Sequence, residues 1–225
     1  LDEAAQKGTG RWTSQNSLDV GALVPTIHAA VEMRLLSSLK SERMIASKVF
    51  GGSPSKFSGS KEKLIDFAGR ALYASKITSY AQGFSLLRSA SREYGFGFNY
   101  ADIARIWRAG CIIRASLLSD IVSSFEGEPE LSNLLLSDVF QTVVLENQSA
   151  WREVVKTAID LGIPMMATSA SLAYFDAYRS DRLPANLIQA QRDQHEAEAD
   201  ALRGDECRCV RRQNAGEGVA EHARE

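Results

Sequence analysis

Cysteine is scarce: Cys111, Cys207 and Cys209 are the three thiols in 225 residues. An odd count without framework spacing excludes a disulfide-stapled fold and fits a reduced, cytosolic compartment. No apolar run reaches membrane-spanning length, and no charged-then-apolar leader opens the chain, so no membrane partner is expected. A basic excess is missing too. Lysine and arginine number 26 against 28 acidic residues, and a net charge of -2 argues against a nucleic-acid surface. Strand-type alternation of β-branched residues is nearly absent, and no fixed-period repeat is visible. What is present is ordinary for a globular chain: 44% hydrophobic and 24% charged residues, in a length that buries a sizeable core.

The apolar spacing predicts an all-α fold of many helices, some of them long and in the core. Thr13 caps a short helix that stops near Gly21. Pro25 suits the first turn of a second, which runs to about Phe50 before Gly51-Gly52-Ser53-Pro54 breaks it. Ser60 opens a long helix ending near Gly95, whose small residues Ala68, Gly69, Ala81 and Gly83 would let neighbours approach closely. Asn99 caps a helix ending near Gly110, and another covers Ile112 to Phe125. Further helices are expected over Leu131–Leu145, Ser149–Leu161, Pro164–Ser180 and from Ala185 onward. Beyond Gln194 the sequence is rich in charge and alanine with few large apolar groups, so 194–225 reads as a loose tail.

The segment most suggestive of chemistry is Asp2-Glu3-Ala4-Ala5-Gln6-Lys7-Gly8-Thr9-Gly10-Arg11-Trp12. Glycine lets the backbone approach an anion, while lysine and the threonine hydroxyl supply donors. The competing reading is a solvated turn before a helix. It is not a dinucleotide fingerprint, because Thr13 occupies the place of the third glycine and no strand–helix context surrounds it. Nor is it a Walker loop, since Lys7 precedes the glycines.

Arg34 is a second candidate. On a helix from Pro25 to Phe50 it shares a stripe with Ile27, Val31, Ser38 and Ile45, and Leu35, Leu36 and Leu39 cover neighbouring directions. This helix should therefore be largely buried. A guanidinium on such a stripe must find an anion, because an unpaired buried charge costs on the order of 3–5 kcal/mol. A protein carboxylate and a ligand phosphate both satisfy it. His28 reads as a packing histidine, and Trp107, Trp151, Tyr174 and Phe175 read as core. Asp102, Glu146 and Asp160 are isolated carboxylates that offer no nucleophile–base constellation. Cys207 and Cys209 with His195 or His222 have the wrong spacing for a structural zinc finger.

The order of the N-terminal residues resembles the signature of the decarboxylating 6-phosphogluconate dehydrogenases, Asp2, Ala5, Gln6 and then Lys7-Gly8-Thr9-Gly10-Arg11-Trp12. Three later blocks resemble the same family: Leu36-Ser37-Ser38-Leu39-Lys40-Ser41-Glu42-Arg43, Tyr80-Ala81-Gln82-Gly83-Phe84, and Trp107-Arg108-Ala109-Gly110-Cys111-Ile112-Ile113-Arg114. Leu183-Pro184-Ala185-Asn186-Leu187-Ile188-Gln189-Ala190-Gln191-Arg192-Asp193 resembles the segment leading to the family's C-terminal tail. The resemblance covers nearly everything from Asp2 to Asp193.

It implies a helical substrate-binding and dimerisation domain over 1–193, with a nucleotide-binding Rossmann domain and the first helices lying upstream. That the chain begins with Leu1, inside a motif, fits a piece of something longer. The resemblance implies that Lys7, Thr9 and Arg34 contact the phosphate of 6-phosphogluconate, joined by Arg192 from the partner subunit. After Asp193 the sequence departs from the family pattern. Glu198 stands at the spacing of a substrate-touching histidine, and His195 arrives too early. The catalytic lysine and glutamate would lie upstream, as would the site for NADP.

The implied reaction is the oxidative decarboxylation of 6-phosphogluconate to ribulose 5-phosphate in the pentose phosphate pathway, by a cytoplasmic homodimer. The chain alone is expected to be inactive. The alternative is a non-catalytic helical association module with an altered C-terminus.

Overall fold

The computed structural model describes residues 2–4, 7–51, 55–109, 111, 113 and 115–196, and all regular structure among them is helical. The chain divides into two units, Leu1–Tyr178 and Arg179–Glu225. The first holds α1 (Thr9–Asp19), α2 (Pro25–Ser38), α3 (Lys40–Phe50), α4 (Lys61–Tyr94), α5 (Tyr100–Trp107), α6 (Leu118–Gly127), α7 (Asp138–Asp160) and α8 (Met166–Tyr178), with a short 3-10 turn over Leu134–Leu136.

The long helix α4 is the axis of this unit, and its 34 residues span roughly 50 Å. Ser60 caps it as expected, its Oγ accepting from Lys63 N at 3.2 Å, and Gly95 ends it in the left-handed conformation at φ 68°. Asn99 likewise caps α5, its Oδ1 accepting from Asp102 N at 3.1 Å. Close approach to α4 is made by Ala71, Ala74 and Ala81, which are buried. Gly69 and Gly83 have no part in it, because a Cβ built at either would meet nothing within 4 Å. Against this face pack Ile121, Phe125, Phe140, Trp151 and Phe175. Trp151 is fully buried, stacks on Phe175 at 5.9 Å between ring centroids, and donates Nε1 to Thr168 O.

Several boundaries differ from expectation for identifiable reasons. Helix α1 begins at Thr9, because Gly8 at φ 95° supplies the reversal that starts it, and Thr13 instead bonds back to Thr9 O. The expected helix from Pro25 to Phe50 is interrupted at Leu39, whose φ of -83° and ψ of 44° leave the helical region. There the hydroxyls of Ser37 and Ser38 bond back to Arg34 O and Leu35 O, which competes with the main-chain ladder. Helix α6 starts at Leu118, later than the expected Ile112. Helix α7 runs unbroken through Glu146-Asn147-Gln148, where Asn147 turns inward to donate to Val143 O and accept from Arg70 Nε.

The second unit contains a helix over 185–196. Glu198, Cys207, Cys209 and His222 lie outside the described residues. No helix among the described residues is long and apolar enough to cross a membrane.

Candidate functional site

The N-terminal motif lies along α2 and is tied to it at two points. Ala4 N donates to Ser37 Oγ at 2.9 Å. Six residues later, Gly10 meets Val31: a Cβ at position 10 would stand 2.8 Å from Val31 Cγ2, closer than packing allows, so any larger residue there must displace Val31. The interval from Val31 to Ser37 rises about 9 Å along the helix. The contacts of Ala4 and Gly10, which flank Lys7 in the sequence, therefore fall on either side of Arg34 along α2.

Asp2 anchors the start of the motif. Its carboxylate receives Lys40 Nζ at 2.6 Å and Arg43 Nη1 at 3.0 Å. The hydrogen bond from Lys40, seconded by that from Arg43, lowers its pKa from 3.8 to about 2. Helix α1 is fastened at its other end by Ser17, whose Oγ lies 2.9 Å from His28 Nε2. His28 is thus the satisfied histidine that its setting in the sequence suggests.

Lys7, Thr9 and Arg34 are all exposed. Exposure of Arg34 overturns the expectation of a largely buried helix. Only Thr26 and Ala29 of α2 are buried, both in its first half, and Leu35 and Leu36 face outward. Burial therefore does not oblige Arg34 to find an anion.

The two ends of the motif open on different cavities. Arg34 lines one of about 450 Å³ with Ala4, Met33, Ser37 and the residues Met165 to Thr168 at the start of α8. Thr9 lines another of about 670 Å³ with Thr13, Ile27, Lys76, Tyr80 and Trp107 among its walls. Lys7 lines neither. Lys76 was not legible as a site residue, because a lysine on a helix face gives no signal of its own. Tyr80 donates its hydroxyl to Ile113 O, and burial raises its pKa.

Arg192 belongs to the second unit, where its Nε pairs with Glu196 at 2.8 Å on the exposed face of the helix over 185–196. Asp102 is not isolated, since Arg105 bridges it to Glu126. Among the described residues no group of three or more His, Cys, Asp or Glu could hold a metal ion. The donor set also does not suit a dinucleotide. Gly8 and Gly10 serve the left-handed start of α1 and its packing on Val31, and neither residues 2–4 nor Lys7 before them is in a strand.

Comparison with known proteins agrees with this architecture. The family described as 6-phosphogluconate dehydrogenase, C-terminal domain, matches residues 1–199. The decarboxylating 6-phosphogluconate dehydrogenase of Synechococcus elongatus is 53% identical over 86% of this chain and 41% of its own length. That of Escherichia coli K12 is 51% identical, with the same shares covered. The Plasmodium falciparum 6-phosphogluconate dehydrogenase, solved apo, with its cofactor NADP+ and with its substrate 6-phosphogluconate, superposes with a TM-score of 0.82 at 38% identity. That alignment covers 86% of this chain and 42% of the Plasmodium chain. The chain thus spans about two fifths of the length of these relatives. With this match along nearly its whole helical body, the chain belongs to the 6-phosphogluconate dehydrogenase family, as its C-terminal domain.

Proposed function

We propose that this chain is the substrate-phosphate and dimer-forming part of an NADP-dependent, decarboxylating 6-phosphogluconate dehydrogenase. The observation that supports the reading is that Ala4 and Gly10, which flank Lys7, meet α2 on either side of Arg34, through the Ala4–Ser37 bond and the Gly10–Val31 contact. In this reading the two cations, the Thr9 hydroxyl and the glycine turn come together on the substrate in the assembled enzyme, although in this chain Arg34 and Thr9 line different cavities. An arginine fork and a lysine point charge together suit a phosphoryl group. Arg192 adds a third cation from the partner subunit in the assembled dimer, exchanging Glu196 for the phosphate.

The chain's own part in the reaction is to hold and orient the sugar acid by its phosphate. NADP, when bound by residues outside this chain, accepts the hydride. The groups that take and return protons also lie outside it, so the isolated chain is inactive in this reading. Dimerisation accounts for α3, none of whose residues is buried although Met44, Ile45, Val49 and Phe50 are apolar.

Calorimetric titration of the purified chain with 6-phosphogluconate tests this. Binding is expected for the native chain, with at least about tenfold loss in Arg34→Gln and in Lys7→Met, the scale of one charged hydrogen bond. Binding that both variants leave unchanged would refute the site. Formation of NADPH from 6-phosphogluconate by the chain alone would refute its assigned passivity.

A further inference from the structure

Helix α2 lacks a cap of its own. Its preceding residue, Val24, has no side-chain hydrogen bond to offer, and Pro25 occupies the first position. The missing acceptor comes from another helix. Gln82, in the middle of α4 and fully buried, accepts the main-chain N–H of Thr26 through Oε1 at 3.0 Å.

A methionine or leucine would fill the same volume without burying an amide, so packing does not account for glutamine at this place. Its Nε2 and the Thr26 hydroxyl have no hydrogen-bond partner among the described residues, so the acceptor oxygen is the part that serves.

The buried residues of α2 are Thr26 and Ala29, with Val24 buried just before the helix. Its second half, from Arg34 to Ser38, is exposed or half-buried. That half also faces the start of α8 across the cavity lined by Met33, Arg34 and Ser37, and it receives Ala4 N on Ser37 Oγ. The cap is thus one of several holds on α2, the one that fixes the direction in which the helix starts. Arg34 lies eight residues, about 12 Å, beyond the capped Thr26. A tilt of about 10° at the cap would displace it by about 2 Å, more than a bidentate phosphate contact tolerates.

We infer that Gln82 is a positioning residue: by capping α2 from within α4 it sets where Arg34 stands. The consequence for substrate rests on the function proposed above, whereas the positioning itself does not.

The test measures both in the full 225-residue chain. Nitroxide labels at Leu36→Cys and Leu145→Cys, both exposed sites, report the placement of α2 against α7 by pulsed electron resonance, with the native cysteines replaced by serine. Gln82→Met is expected to shift or broaden the distance by about 2 Å, the lever-arm displacement estimated above. Gln82→Glu, which keeps the acceptor, restores it. In parallel, Gln82→Met weakens 6-phosphogluconate binding about tenfold, while Asn99→Ala, which removes the cap of α5, lowers Tm without changing binding. An unchanged distance in folded Gln82→Met overturns the inference, as does an equal shift in Gln82→Glu. A native chain that binds no 6-phosphogluconate counts against the proposed function alone, because the distances still decide the role of Gln82.

Discussion

Arg43 joins Asp2 to the broken end of α2: its Nη1 meets the Asp2 carboxylate at 3.0 Å, and its Nη2 donates to Ser37 O at 3.1 Å. Ser37 O lies in the last turn of α2, where interruption at Leu39 leaves carbonyls in need of donors. One side chain thus serves the first residue of the motif, the end of α2 and the start of α3. The interruption is therefore what seats the motif.

This arrangement has a pH signature. In the folded chain the Asp2 carboxyl titrates at about 2, against 3.8 ordinarily. A carboxylate with a depressed pKa contributes its docking fully above 3.8, and the contribution is lost as pH falls toward 2. Carboxyl NMR should follow Asp2 through this window, with the Ala4 amide losing protection over the same range. Asp2→Asn should abolish that dependence, and high salt should weaken it, because the group is exposed and screened. Docking that is insensitive from pH 5 to 2 would contradict the ion pairs.

Gly10→Ala places a methyl against Val31 and should cost about 1–3 kcal/mol in urea unfolding, as overpacked sites do. Val31→Ala in the same chain should return part of that loss, because it removes the atom that the methyl would strike. Additive losses would show that the two positions do not touch.

How far the sequence discloses this molecule depends on whether the signal is local. Ser60, Gly95 and Asn99 mark true helix ends, since a cap is decided by residues within one turn. Trp151, Tyr174 and Phe175 are core as their helix-face positions suggest. The break at Leu39 was hidden, because nothing near it is a breaker; the serine back-bonds and the Arg43 bridge emerge only once the chain is folded. The exposure of Arg34 was hidden for a similar reason. Its neighbours are apolar, but apolar spacing does not say which face meets this chain's own body. Gln82 was legible only as part of a block of sequence, since its partner Thr26 is 56 residues away.

Trp151→Ala should be among the most damaging single changes in the first unit, at about 3–5 kcal/mol. The side chain is fully buried, stacks on Phe175 and donates to Thr168 O. Trp151→Phe should recover most of the volume but not the hydrogen bond. Denaturant midpoints for the two variants separate packing from polarity, and equal midpoints would mean that the bond carries the weight.

Tyr174 couples the end of the fold to its centre. Its hydroxyl oxygen accepts from Asn133 Nδ2 at 3.0 Å, while Asn133 Oδ1 accepts Leu135 N at 2.9 Å, so one asparagine pins both the 3-10 turn and α8. Tyr174→Phe removes an acceptor and strands a buried donor, which should cost about 1–3 kcal/mol. Burial raises the phenol's pKa above 10.0, against a smaller opposing effect of the asparagine. The sign follows from the protonated form being favoured in the fold. The contribution of Tyr174 is complete below pH 10, where the unfolded phenol is neutral. It is lost as pH rises through the elevated folded value. Stability measured from pH 9 to 11 should therefore fall more steeply for the native chain than for Tyr174→Phe, and parallel curves would show that the phenol is not held in a dry setting.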